Sequence, residues 1–128
     1  MERKTIETAT ARIWWDEGGF IRGVISAGAQ ESLEHAQANV RAALSLAAGR
    51  KVPVIIDLRE MKSVSKEARD WYAGDEPAKY ALAQALLIGS PISKLIGNFF
   101  IGLNRTRFPT RLFTSETEAV AWLKGFLQ

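Results

Sequence analysis

Residues 52–58, VPVIIDL, decide the architecture. The run is apolar up to its closing aspartate and leucine, and it is rich in β-branched residues. A strand with one wet face alternates polar and apolar positions, whereas a continuous run reads as a strand covered on both faces. Ala83–Ile88 (AQALLI) reads as a second buried strand.

Around these strands the apolar spacing turns helical. Ser32 is placed as an N-cap, and Leu33, Ala36, Val40, Ala43, Leu44 and Ala47 recur at near-helical intervals up to Gly49, the expected stop. Ser65 caps a second helix through KEARDWYAG, predicted to break near Gly74 and resume through Pro77 to Leu82. Ser90 and Pro91 open a third, where Ile92, Leu95, Ile96, Phe99, Phe100 and Leu103 make a wide apolar face. Arg111–Thr114 reads as a short strand. Ser115 and Glu118 then form a capping box for a last helix that buries Ala119, Val120, Trp122, Leu123 and Phe126.

Toward the N-terminus, Thr10–Asp16 and Phe20–Ala29 read as strands joined by Glu17-Gly18-Gly19, where glycine supplies the positive φ of a tight hairpin. Trp14 and Trp15, adjacent on a strand, must point to opposite faces. Residues 1–9 read as a loosely ordered lead-in. The expected fold is a single α/β domain over residues 10–128 with a mixed, mostly parallel sheet. An N-terminal antiparallel hairpin and about four helices complete it.

A chain of 128 residues, 47% hydrophobic and 24% charged, can bury one core without staples. It has no cysteine, which excludes disulfides, thiolate catalysis, Cys-ligated zinc and iron–sulfur clusters, and fits a reducing cytoplasm. MERKTIETATAR lacks the apolar core of a secretory signal, and the apolar runs fall short of the roughly 20 residues that span a bilayer. The net charge of +3 is spread along the chain, so a nucleic-acid partner is not expected.

Catalytic constellations are missing from the pattern. His35 is the only histidine, and the acids fall in pairs rather than clusters, so neither a metal site nor a histidine-based site is expected. Gly97 and Gly102 have the spacing of a phosphate-binding loop, but Leu103 and Asn104 stand where that loop needs lysine and a hydroxyl. No cofactor is implied, and a non-enzyme is expected.

Binding candidates remain. Asp57 ends a buried strand at the edge where open α/β sheets bind ligands; the alternative is a pair with Arg59. Ser63 and Ser65, at the entry to the second helix, are candidate phospho-acceptors, with capping the alternative for Ser65. Asn98, Phe100, Ile101, Asn104, Arg105 and Arg107 are candidate contacts to a partner or ligand.

The order of elements, with VIIDLREMKSVSKEAR, resembles a STAS-type domain (sulfate transporter and anti-sigma-factor antagonist). DLREMKSVSKEARDWYAG and SPISKLIGNFFIGLNRTRFPTRLFTSETEAVAWL are similar to a group of small bacterial STAS-like, SpoIIAA-like proteins. The resemblance implies a cytoplasmic signalling or binding module whose partner affinity is switched by serine phosphorylation or by a small ligand. Laid over this chain, the Asp-Ser-Ser-Gly-like acceptor motif falls on Ser65-Lys66-Glu67-Ala68, which puts the acceptor at Lys66, one residue from Ser65.

Two functions are therefore expected in order. The first is contact with a protein partner or a second copy, through the third helix and its arginine loop. The second is a lipid-like or phosphorylated ligand between that helix and the sheet, its charged end held by Arg105 or Arg107.

Overall fold

The computed structural model describes residues 4–127. In chain order the elements are β1 (Thr5–Glu7), β2 (Ala11–Trp15), β3 (Ile21–Ile25), β4 (Gln30–Glu31), α1 (Leu33–Ala47), β5 (Val52–Asp57), β6 (Ser63–Val64), α2 (Lys66–Tyr72), α3 (Asp75–Ala78), β7 (Ala81–Leu87), α4 (Pro91–Ile101), β8 (Thr110–Phe113) and α5 (Glu116–Lys124). The main sheet has six strands in the order β1-β2-β3-β5-β7-β8. Its first three strands are antiparallel, and β3, β5, β7 and β8 run parallel. A two-stranded parallel pair, β4 with β6, sits apart. This is the mixed α/β architecture expected from the sequence.

Three details differ. Within the expected lead-in, residues 1–3 lie outside the described residues, and Thr5–Glu7 pairs with β2 as an edge strand. The second helix breaks before Gly74 as expected, but it resumes only as a single turn, α3, instead of running to Leu82. Ala81 and Leu82 belong to β7, because parallel pairing with β5 already begins at Val52 opposite Ala81. Sheet pairing outweighs the helical propensity of these two good helix formers, because propensity yields to tertiary context.

Local chemistry explains the rest. Gly19 takes φ +94° in the hairpin, where its amide donates to Asp16 O and the Gly18 amide donates to Asp16 Oδ2. Pro53 has no N–H for the ladder, and the β5–β7 register shifts at Val52/Pro53. The Ser32 amide donates to Nδ1 of His35 at 3.0 Å, so the one histidine serves as a cap. Ser115 Oγ accepts from the Glu118 amide to open α5.

The core has two layers. On one face of the sheet, α1 and α4 cover Ile13, Ile21, Val54 and Leu86, with Val40, Leu46, Ile96 and Phe100 as the helical contribution. On the other face, α5 covers Phe20, Ile55, Leu87 and Phe113 with Ala119 and Leu123. Val120, Trp122 and Phe126, expected in the core, are half-buried at its edge. Trp15 lies on the α1 side, donating from Nε1 to Leu46 O at 2.7 Å, and Trp14 takes the opposite face.

Candidate functional site

Helix α4 is the first candidate surface. Ser90 Oγ accepts from the Ser93 amide, and Ser93 Oγ accepts from the amides of Gly89 and Ser90, so the helix start is fully capped. Ser93, Ile96, Gly97 and Phe100 are buried. A Cβ on Gly97 would come within 2.8 Å of Leu112 and 3.2 Å of Ile88, so the glycine lets the helix lie directly on β8 and the end of β7. The other side faces solvent, with Ile92 50%, Leu95 59% and Ile101 43% exposed, and Leu103 just beyond the helix 83% exposed. At about 100° per residue, Ile92, Leu95 and half-buried Phe99 fall within roughly 60° of one another, on a single outer stripe.

The expected contact residues divide accordingly. Asn98 is exposed beside the stripe, and Ile101 is exposed on the helix about 120° or more round from it. Phe100 is not: only 6% exposed, it packs edge-on against Tyr72 with ring centroids 6.2 Å apart. Asn104 is a tether, donating to Asp70 Oδ1 at 2.6 Å and accepting from Arg69 Nε at 3.1 Å. Arg69 also donates to Val64 O and lies 4.1 Å from the Phe99 ring centre, locking α2 to the end of α4. Arg107 pairs with Asp75 at 3.0 Å. Arg105 is exposed and makes no ion pair among the described residues.

Asp57 and Ser65 are occupied locally. Asp57 accepts from the Arg59 amide and Nε on Oδ1 and from Nη2 on Oδ2 at 2.7 Å. Burial pushes the Asp57 carboxyl up, but these hydrogen bonds and the Arg59 charge outweigh it and hold it below the usual carboxylate range. Ser65 Oγ accepts from the Ala68 amide at 3.1 Å, as a cap does, and Ser63 is exposed on β6.

One constellation escaped the sequence reading. Glu31 is 2% exposed, and its carboxylate accepts from three side chains. Tyr72 Oη donates to Oε1 at 2.6 Å, while Thr10 Oγ1 and Asn39 Nδ2 donate to Oε2 at 2.6 and 2.7 Å. Thr8 Oγ1 donates in turn to Asn39 Oδ1. Burial, and then the Glu31 charge, push the Tyr72 phenol well above its ordinary range, so it stays a donor. The available signal is Asn39, a polar residue on the inward face of an otherwise apolar helix.

Glu31, Asn39 and Tyr72 line a cavity of about 70 Å³ whose walls also include Tyr80 and Gln84 and are mostly apolar, with Ile13, Val54, Leu86 and Phe100 among them. That is roughly half of the about 150 Å³ that admits a benzene ring. The cavity has a carboxylate and no arginine in its walls.

A family described as a domain of unknown function (DUF7793) matches residues 13–127. The chain belongs to this family. The DUF7793 domain is also similar to a solved structure, an uncharacterized protein of the DUF3478 family with a SpoIIAA-like fold from Shewanella loihica PV-4. The identity is 16%, the TM-score 0.59, and the match covers 95% of this chain and 92% of that one. The likeness establishes a SpoIIAA-like fold for the DUF7793 domain. No curated protein matches it in sequence. Among the described residues no helix is long and apolar enough to cross a membrane, and no three metal-ligating side chains gather.

Proposed function

We propose that the DUF7793 domain is a non-enzymatic STAS-like interaction module that pairs with a second copy of itself through the outer face of α4. The observation that carries this reading is the exposure of Ile92 and Leu95 along one side of a well-capped helix, with Leu103 exposed just beyond its end. Monomeric domains seldom leave such a stripe in water.

Charge favours a copy as the occupant. Helix α4 has no acidic residue in its first turn and no basic residue in its last, so both partial end charges are uncompensated by its own side chains. Antiparallel pairing sets each end against the opposite end of the partner helix. An internal lipid-like ligand is disfavoured by the size of the cavity and by its carboxylate.

Sedimentation equilibrium tests the reading. The wild-type protein is expected at twice the chain mass, and Leu95→Glu at the chain mass with an unchanged circular dichroism spectrum. Ile92→Glu serves as the second variant. A monomeric wild type, or a dimer that survives both substitutions, would refute it.

A further inference from the structure

A second surface lies beyond the α4 stripe. Between the end of α4, the following loop, the start of β8 and α5 runs a groove of about 300 Å³. Phe108 and Trp122 provide aromatic walls, and Arg105 and Arg111 stand at its margin. The loop is held in shape by Thr106 Oγ1, which bonds Phe108 O at 2.9 Å and Thr110 Oγ1 at 2.6 Å.

The groove is charged on one side only. None of its lining residues is acidic, and Glu118, one turn before Trp122 on α5, does not line it. From Pro77 to Ser115 the chain carries no Asp or Glu at all. Four other arginines are neutralised: Arg12 by Glu7, Arg22 by Asp16 and Glu116, Arg59 by Asp57, and Arg107 by Asp75. Arg105 and Arg111 have no carboxylate partner among the described residues. Arg111 instead rests over the rings of Phe113 and Trp122, 5.2 and 5.7 Å from their centres.

We infer that this groove binds a small anion carried on a flat aromatic ring, a phosphate or carboxylate. The guanidinium of Arg111 is positioned by its two rings and keeps its N–H donors for oxygen ligands; planar guanidinium donors match phosphate and carboxylate geometry. Arg105 supplies the second charge. The ring of the ligand lies against Phe108 and Trp122, where stacking contributes beyond burial alone. None of the groove residues is among Ile92, Leu95 and Leu103 of the proposed α4 contact, so the two sites can be tested separately.

The test is titration of the ¹⁵N-labelled full chain with phenyl phosphate, followed by NMR. Saturable shifts are expected at the Trp122 indole N–H and at the Thr106 and Thr110 amides. Inorganic phosphate alone and benzyl alcohol alone, each carrying half the chemistry, should bind at least about tenfold more weakly, a difference of about 1.4 kcal/mol. Arg105→Gln, whose side chain supports nothing else, and Arg111→Gln should each weaken phenyl phosphate by about tenfold. Lys51→Gln removes the same charge on an exposed residue away from the groove and should leave binding unchanged. No saturable shift, or an equal loss with Lys51→Gln, would overturn the assignment. Benzoate in place of phenyl phosphate distinguishes a carboxylate from a phosphate preference.

Discussion

Tyr72 and Glu31 meet inside the domain at 2.6 Å, the phenol donating to the carboxylate. Hydrogen bonds to a charged group typically contribute about 1.5–3 kcal/mol, and a buried group left unsatisfied costs more. Tyr72→Phe is expected to lower the unfolding free energy by about that amount in urea titrations. Glu31→Ala leaves Thr10, Asn39 and Tyr72 donors unmatched and should cost more. Because these groups act as one network, the double variant should lose less than the sum of the two single losses. Strict additivity would mean that the hydrogen bond is not coupled to its neighbours.

Alkaline stability follows from the two tyrosines. Burial, with the Glu31 charge, raises Tyr72, and burial alone raises Tyr80, both above the ordinary value of 10. In the fold they keep their protons while the unfolded chain begins to lose them. The unfolded state then binds fewer protons, so stability is complete below about pH 10 and falls as pH rises beyond it. Urea midpoints measured from about pH 9 to 11 should decline for the wild type and flatten in Tyr72→Phe/Tyr80→Phe. An equal decline in the double variant would assign the effect to other groups.

Phe100 and Leu95 are five residues apart on one helix and should respond oppositely. Phe100→Ala opens the core against Tyr72 and is expected to cost about 3–5 kcal/mol. Leu95→Ala, on the exposed stripe, should change the unfolding free energy of the monomer by no more than about 0.5 kcal/mol. Thermal denaturation of both variants at low protein concentration makes the comparison; similar losses would contradict the placement of α4.

Ala48 ends α1 with φ 50°, in the left-handed region that glycine adopts without cost. Gly49 follows at φ 85°. Ala48→Gly removes the Cβ conflict and is expected to stabilise the domain by up to about 1 kcal/mol, seen as a higher Tm. A lower Tm would mean that the entropy glycine adds to the unfolded chain outweighs the relief of strain.

What the sequence made legible was local. VPVIIDL lies in the sheet interior, Gly19 turns the hairpin, and Ser32, Ser65, Ser90 and Ser115 open helices, because each of these depends on a few adjacent residues. The inward side of α4 was not legible from apolar spacing, since its apolar residues surround most of the helix. What orients it is the pair Ser93 and Gly97, small residues one turn apart that admit the sheet. The Glu31 network was beyond reach because it gathers Thr8, Thr10, Asn39 and Tyr72 from segments that only the folded chain brings together. The stretch after Gly74 stops being helical at Ala78 for the same reason: pairing across the sheet claims Ala81 and Leu82.

The outermost strands of the main sheet, β1 and β8, have only three and four residues. Each offers few free backbone groups, and Pro109 stands just before β8 without an N–H to give. Such borders are poor templates for adding a foreign strand, so the sheet is protected against runaway fibrillar growth. Contact between two copies, as proposed for α4, is then left to side chains. Such recognition can be tuned or abolished one residue at a time while the hydrogen-bonded sheet beneath stays intact.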